Sequence, residues 1–211
     1  MSDELVFYTN PMSRGRIVRW MLEEVGQPYR TEVLDYGTTM KAPAYLAVNP
    51  MGKVPAIRHG DMVVTEGAAI CAYLADAFPQ AGLAPAPTDR LRGTYYRWLF
   101  FAAGPTEAAT TNKSLGVVPS EERRRMVGYG TIEEVFDALE LAVSGRQYIV
   151  GDRFSAADVY VGAHIGWGLQ FGTFERRPAF ERYVAGIMDR PAAVRARAID
   201  DALIAKAKAA T

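Results

Sequence analysis

Residues 65–67, Thr-Glu-Gly, stand where a short β-ribbon runs into a predicted helix. The first backbone amides of a helix have no partner within it and carry partial positive charge, so they attract a carboxylate. Glu66, at the same junction, can bind an ammonium group. The two features together match the charged head group of an α-amino acid. In the alternative interpretation, Glu66 is only favourable first-turn charge on the helix predicted from about residue 66 to 78.

Just upstream, the segment 49–55, Asn-Pro-Met-Gly-Lys-Val-Pro, is predicted to be a turn that leads into an extended run. Val54 is extended because it precedes a proline, and its backbone can form ladder-type hydrogen bonds to an extended peptide. The Val54–Pro55 bond is a candidate for a cis peptide. Two short apolar runs, one on each side of residues 58–61, predict a hairpin with its turn at 58–61. The pattern therefore favours a peptide site built on backbone groups and Glu66.

The N-terminal region supplies the elements that position this segment. An apolar run predicts a buried strand at 5–8, and apolar residues at helical spacing predict a helix at 13–25 that Gly26 ends. A strand at 29–34 and a short helix at 42–47 precede the hairpin. The order β-α-β-α-β-β-α closes within about eighty residues, which is typical of an α/β domain.

Prolines and a glycine at 78–88 predict a domain boundary. We divide the chain into an α/β domain at 1–80, a linker at 81–87 and an all-helical domain at 88–211. One helix is predicted along an apolar stripe at 91–102, and a second long helix is predicted to begin at 119–121. Ser155 and Asp158 form a capping box that starts a further helix, and Arg190-Pro191 separates the last two helices.

Four motifs resemble those of the cytosolic glutathione S-transferases: YTNPMSRGRIVR at 8–19, NPMGKVP at 49–55, EGAAI at 66–70 and GDRFSAAD at 151–158. They occur in the family's order and spacing. The resemblance implies a thioredoxin-like N-terminal domain, an all-α C-terminal domain, glutathione as co-substrate and a homodimer formed through the helices after Thr65 and Thr88. One departure is visible, because the family usually has Ser or Thr where this chain has Gly67.

The resemblance implies that glutathione is held by Lys53, Val54, Pro55, Glu66 and Gly67. The free thiol has a pKa near 8.5, and lowering it to about 6.5 requires roughly 2.7 kcal/mol of thiolate stabilisation. A hydrogen bond to a charged group supplies roughly 1.5–3 kcal/mol, and a helix N-terminus adds roughly 0.3–1 kcal/mol. One hydroxyl at the start of the first helix is therefore sufficient.

The resemblance, closest to the serine-type bacterial members, implies that the hydroxyl in this loop binds the thiolate, which makes Ser13 the favoured donor. Ser13 stands at the predicted N-cap, where capping uses its oxygen as acceptor and leaves its proton free. In the alternative interpretation it only caps the helix. Tyr8, at the end of the first strand, is the rival donor, and Asn10 is a weaker candidate. Arg14 could add positive field at the site, and Arg16 could do so or simply be a solvated first-turn residue.

The electrophile is expected between the peptide site and the helical domain. Five candidate pocket residues lie on or just after the first long helix: Tyr95, Trp98, Phe101, Pro105 and Thr106. Aromatic residues at helical spacing are often part of the core, so we expect about two of the five to line the pocket.

The composition of the chain excludes several other classes. The 24 basic and 24 acidic residues of the 211-residue chain argue against nucleic-acid binding. Apolar runs of membrane-spanning length are missing, and the start, Met-Ser-Asp-Glu, is acidic, so a cytoplasmic enzyme is predicted. The two histidines and one cysteine lie at no metal-ligand spacing. Cys71 is interpreted as a small buried hydrophobe, so the reactive sulfur must come from a ligand.

The sequence therefore predicts a glutathione transferase that conjugates the thiolate to small apolar electrophiles. Two alternatives stay open. One is a glutathione-dependent isomerase or a disulfide or peroxide reductase, and the other is a non-catalytic binding protein of the same fold.

Overall fold

The computed structural model of the chain describes residues 4–209. Of the sequence features above, the first three residues of the acidic start lie outside this range. The described residues form four strands and nine α-helices, with short 3-10 and π-helical turns between some of them. They divide into two compact units, one comprising residues up to Leu83 together with those from Arg190 onward, and the other comprising Ala84–Asp189.

The first unit is built on one mixed four-stranded sheet in the order β2-β1-β3-β4. Strand β1 is parallel to β2 and antiparallel to β3, and β4 is antiparallel to β3. The element bounds are β1 Leu5–Thr9, α1 Gly15–Val25, β2 Arg30–Val33, α2 Pro43–Leu46, β3 Ala56–His59, β4 Met62–Thr65 and α3 Gly67–Ala77. The predicted β-α-β-α-β-β-α order is confirmed, with bounds shifted by one or two residues.

The core of the first unit follows from the apolar patterns. Strand β1 buries Leu5, Val6 and Phe7 because helices cover the sheet, and α1 buries its apolar face while Gly26 ends the helix with φ of 71°. Cys71 of α3 is fully buried, and burial raises the pKa of its thiol. The interpretation of Cys71 as a buried hydrophobe is therefore confirmed.

The last helix, α9 (Pro191–Ala209), packs on α1 of the first unit. The range 88–211 predicted for the helical domain is therefore too long at its C-terminal end. The buried residues of α9 are three alanines and Asp200, and its attachment includes ion pairs of Arg19 with Asp200 and of Arg195 with Glu23. An Ala- and charge-rich sequence shows no strong apolar stripe, so the pattern could not reveal which unit the helix joins.

The second unit is helical, and its helices are α4 Leu91–Phe101, α5 Glu107–Ser114, α6 Ile132–Val143, α7 Ala156–Phe171 and α8 Pro178–Met188. A π-helical turn, Ala102–Thr106, joins α4 to α5 and contains Pro105. The predicted helix start at 119–121 is wrong. Helix α6 begins after Thr131, whose side chain forms a capping box with Glu134, and this box outcompetes the weaker Pro-Ser-Glu signal.

The predicted capping box at the start of α7 is confirmed. Asp158 is fully buried and accepts hydrogen bonds from the Ser155 amide and hydroxyl, both at 2.9 Å. It also accepts from the Ile149 amide and the Tyr183 hydroxyl, each at 2.8 Å. Burial raises the pKa of Asp158, and these donated hydrogen bonds oppose that rise. One carboxylate thus joins the loop before α7 to helices α7 and α8.

Candidate functional site

Segment 49–55 is held in place by side chains of the preceding residues. The Tyr45 hydroxyl and the Asn49 amide both donate to the Lys53 carbonyl, at 2.5 and 2.8 Å. The Lys41 ammonium donates to the carbonyls of Met51 and Gly52, at 3.0 and 2.8 Å. Burial raises the pKa of Tyr45 to about 12, so its phenol keeps the proton that it donates. The sequence analysis missed this anchoring, because no spacing rule links a Tyr or Lys to a carbonyl several residues away.

Gly52 is required at the centre of this segment. Its φ is 56°, and a Cβ there would lie 2.8 Å from the Lys41 Nζ and 2.9 Å from the Met40 carbonyl. A side chain would therefore be strained and would displace Lys41.

The Val54–Pro55 peptide bond is cis, as the sequence suggested. Val54 is half-buried against the cluster formed by Met40, Tyr45 and Ala56. Since Ala56 of β3 pairs with Tyr8 of β1, this end of β3 and the end of β1 lie side by side in the sheet.

Glu66 has a backbone conformation that is rare for a residue with a side chain. It is exposed and has φ of 67° and ψ of 117°, directly before the first residue of α3, Gly67. A non-glycine residue with positive φ costs of the order of 1–3 kcal/mol, and such residues cluster at functional sites. The acid and the first amides of α3, from Gly67 and Ala68, are thus brought to one junction, as the sequence predicted.

The Ser13 hydroxyl is half-buried in the loop before α1 and makes two hydrogen bonds. Its oxygen accepts from the Gly15 amide at 2.9 Å, and its proton is donated to the Asn10 carbonyl at 2.7 Å. The N-cap of α1 is Arg14 and not Ser13, and the expectation that the Ser13 proton is free is also wrong. The Asn10 carbonyl also accepts from the Ser13 backbone amide at 3.0 Å.

Asn10 makes side-chain hydrogen bonds that hold the same loop. Its side-chain amide donates to the Leu34 carbonyl at 2.8 Å, and its side-chain oxygen accepts from the Met12 amide at 2.9 Å. These bonds join the loop after β1 to the residue that follows β2. A side-chain amide has two N–H donors, so Asn10 stays the weaker candidate for the thiolate donor.

Tyr8 is half-buried, with its ring 5.5 Å from that of Tyr45. Arg14 is exposed in the loop before α1. Arg16 donates to Asp201 of α9 at 2.7 Å and to the Pro11 carbonyl at 3.4 Å. The Arg16 guanidinium is therefore tied to protein groups, which the interpretation as a solvated first-turn residue did not foresee.

The five candidate pocket residues differ in burial. Tyr95 and Thr106 are fully buried and Trp98 is 5% exposed, whereas Phe101 and Pro105 are half-buried. The Phe101 ring packs edge-to-face on Trp98 at 5.5 Å. The π-helical turn brings Pro105 and Thr106 onto the continuation of α4.

Within residues 4–209, no group of three or more His, Cys, Asp or Glu side chains could hold a metal ion. In the same range, no helix is both long enough and apolar enough to cross a membrane.

Comparison with known protein families decides the identity of the fold. Residues 12–77 match the glutathione S-transferase N-terminal domain, and residues 97–191 match the glutathione S-transferase C-terminal domain. The chain belongs to the glutathione S-transferase family. The resemblance seen in the sequence motifs is thereby confirmed, and so is the fold class, a thioredoxin-like α/β domain followed by an all-helical domain.

Similarity to individual glutathione S-transferases, in sequence and in structure, supports this assignment. A curated relative from Xanthomonas campestris, glutathione S-transferase GST-4.5, is 28% identical over 178 residues, which cover 78% of this chain and 83% of the relative. A crystal structure of a glutathione transferase from Methylococcus capsulatus superposes with a TM-score of 0.77 at 29% identity, covering 93% of this chain and 98% of the other. A sphingomonad glutathione S-transferase complexed with glutathione superposes with a TM-score of 0.76 at 27% identity, with the same coverage. Glutathione is the co-substrate of the family.

Proposed function

We propose that this glutathione S-transferase conjugates the glutathione thiolate to small apolar electrophiles, and that the Ser13 hydroxyl stabilises the thiolate. Glutathione is held by the segment around Lys53, Val54 and Pro55, with Glu66 on its ammonium group and the amides of Gly67 and Ala68 on its carboxylate. The sphingomonad relative bound to glutathione supports this assignment of the ligand.

The role of Ser13 is supported by the fact that the Asn10 carbonyl accepts two hydrogen bonds from this residue. That oxygen accepts both the Ser13 hydroxyl and the Ser13 amide. If the hydroxyl turns to a bound thiolate, the carbonyl keeps its amide bond and is not left without a partner. The switch exchanges a neutral hydrogen bond for one to a charged sulfur, which is stronger.

The reaction then proceeds by nucleophilic attack. The thiolate forms a carbon–sulfur bond at the electrophilic carbon, and the leaving group departs with the electron pair of the bond that breaks. The enzyme contributes a larger thiolate fraction at neutral pH and the holding of both reactants together. Phe101 and Pro105, the half-buried pair of the second unit, are the proposed apolar contacts for the electrophile. Tyr95, Trp98 and Thr106 support them from the helical core.

Family membership also supports a homodimer, and we propose the helices after Thr65 and Thr88 as its interface. Helix α4 exposes two apolar side chains that such an interface would cover, Tyr96 and Phe100. Strand β4, which leads directly into the helix after Thr65, exposes two more, Met62 and Val63. A cytoplasmic location completes the proposal, supported by the balanced charge and the single buried cysteine.

Product analysis tests the proposed reaction. The enzyme is incubated with glutathione and a panel of aryl halides, α,β-unsaturated acids and disulfides, and the products are identified by mass spectrometry. Conjugates of the apolar aryl halides support the proposal. An isomerised acid or a reduced disulfide, without any conjugate, would instead make the enzyme an isomerase or a reductase. Turnover of nothing in the panel, together with binding of glutathione, would favour a binding protein.

Ser13→Ala is expected to raise the pKa of bound glutathione's thiol by about one to two units, because a charge-assisted hydrogen bond is lost. The affinity for glutathione should change little, since the peptide is held elsewhere. Ultraviolet titration of the complex measures the first quantity, and calorimetry measures the second. Ser13→Thr, which keeps a hydroxyl, is the control. An unchanged thiol pKa in Ser13→Ala, with a raised value in Tyr8→Phe, would assign the role to Tyr8.

Glu66→Gln is expected to weaken glutathione binding by about tenfold, because an exposed ion pair with the ammonium group is replaced by a neutral hydrogen bond. The thiol pKa should stay as in the wild type. Asp61→Asn removes an exposed acid from the β3–β4 turn of the same unit and is the matched control. A shift of the thiol pKa at unchanged affinity would show that the peptide lies elsewhere.

A further inference from the structure

Thr9 carries a hydroxyl for which the folded protein provides no evident use. This residue ends β1 and is fully buried, and its Oγ1 has no hydrogen-bond partner in the part of the chain that the structure describes. Burying a polar atom without a partner destabilises the fold, and such atoms are uncommon in native proteins. A valine has nearly the same shape and would avoid that cost. The presence of a hydroxyl at this position therefore suggests that it has a function.

The position of the Thr9 hydroxyl indicates what that function is. A Cβ built on Gly15 would overlap the Thr9 Oγ1 and would lie 3.0 Å from the Ser13 Oγ. Both hydroxyl oxygens therefore border the same space beside the Gly15 Cα. Because residue 15 is glycine, the Thr9 Oγ1 can occupy the place that a Cβ would take, and no side chain at position 15 separates the two oxygens.

The Ser13 oxygen can accept a further hydrogen bond from Thr9. A serine hydroxyl has one proton and can accept two hydrogen bonds. The Ser13 oxygen accepts from the Gly15 amide, and its proton is donated to the Asn10 carbonyl, so one acceptor position remains by this count. A hydroxyl that accepts a further hydrogen bond becomes a better donor, because chains of hydrogen bonds polarise one another.

We propose that Thr9 is a positioning residue, whose hydroxyl donates to the Ser13 Oγ when the Ser13 proton turns from the Asn10 carbonyl to bound glutathione's sulfur. The inference rests on the proposed role of Ser13 and adds a second hydroxyl behind it. Thr9 does not touch the sulfur. It holds Ser13 in the orientation that serves the thiolate and strengthens its donated bond, and its unpartnered state without glutathione is the cost of that arrangement.

The test measures the thiol pKa of bound glutathione by ultraviolet titration in Thr9→Val, Thr9→Ala and Thr9→Ser. We expect a rise of about half a unit to one unit in the valine and alanine variants, the size of one neutral hydrogen bond, and the wild-type value in the serine variant. In a Ser13→Ala background, Thr9→Val should cause no further rise of the thiol pKa.

The urea midpoint of glutathione-free Thr9→Val should not fall below that of the wild type, since no hydrogen bond is lost. If the methyl that replaces the hydroxyl in Thr9→Val is too bulky beside Gly15, Thr9→Ala takes its place in each comparison.

The outcomes separate the inference from the function on which it rests. A raised thiol pKa in Ser13→Ala, with wild-type values in Thr9→Val and Thr9→Ala, would overturn the role of Thr9 and keep that of Ser13. If Thr9→Val raises the thiol pKa by the same amount in the Ser13→Ala background, the role of Thr9 is also overturned, because Thr9 would then affect the thiol without the Ser13 hydroxyl. A wild-type complex whose thiol titrates as in free solution would remove the role of Ser13 and that of Thr9 with it.

Discussion

Asp158→Ala is expected to lower the free energy of unfolding by about 4 kcal/mol or more, because several buried donors lose their only described acceptor at once. The carboxylate accepts from the amides of Ile149 and Ser155 and from the hydroxyls of Ser155 and Tyr183. A buried donor without a partner costs about 1–3 kcal/mol, and the costs of four donors that share one carboxylate do not simply add. Urea unfolding followed by far-ultraviolet circular dichroism measures the loss.

Two further variants keep this prediction testable. Glu134→Ala breaks the exposed capping box of α6, and should cost about 1 kcal/mol. Tyr183→Phe removes a single donor to Asp158 and is expected to leave a folded protein even if Asp158→Ala does not fold. A loss for Asp158→Ala no larger than that for Glu134→Ala would show that the buried network contributes little.

Asp200→Ala is expected to cost about 3–5 kcal/mol, because it leaves the charge of Arg19 buried without its partner. The Arg19 Nε donates to the Asp200 Oδ1 at 2.7 Å, and both side chains are 1% exposed. The Arg19 guanidinium also donates to the hydroxyls of Tyr29 and Thr31, each at 3.1 Å, and lies over the Phe7 ring. These contacts fasten α9 to the sheet and to α1, so the variant should loosen α9. Urea unfolding gives the size of the loss, and the rate of amide hydrogen exchange in α9 locates it.

The neighbouring residue supplies the control. Asp201 pairs with Arg16 at the same distance, but its side chain is 59% exposed, so Asp201→Ala should cost less than about 1 kcal/mol. Replacing both partners, as in Arg19→Met with Asp200→Leu, should restore most of the stability, because an apolar pair leaves no buried charge. Equal losses for Asp200→Ala and Asp201→Ala would contradict the account.

Much of the first unit could be predicted from the sequence because its signals are local. An apolar run predicts β1, helical spacing with a following Gly26 predicts α1, and the Val-Pro step predicts an extended segment. The junction at Glu66 was found for the same reason, since a ribbon running into a helix can be seen within a few residues. The capping box at Ser155 and Asp158 is equally local, although its bonds to Ile149 and Tyr183 are not.

The features that the sequence did not reveal depend on groups distant in the chain or on competition between similar signals. The attachment of α9 depends on Asp200 meeting Arg19, and charged residues on an Ala-rich helix do not show which partner they have. The start of α6 was misplaced because two helix-start signals, at 119–121 and at Thr131, both precede the same apolar stripe. The Ser13 hydroxyl donates its proton to the Asn10 carbonyl, and the Thr9 and Ser13 hydroxyls border one space because residue 15 has no side chain. Such contacts follow from packing, which no residue pattern encodes.

The central claim is that the protein keeps a bound glutathione anionic at neutral pH, and the pKa of that thiol in the wild-type complex tests it most directly. Ultraviolet difference titration of the saturated complex is expected to give a value near 6.5, about two units below that of the free thiol, which is the shift that one hydroxyl and a helix N-terminus can supply. A bound thiol that still titrates near 8.5 would contradict the claim.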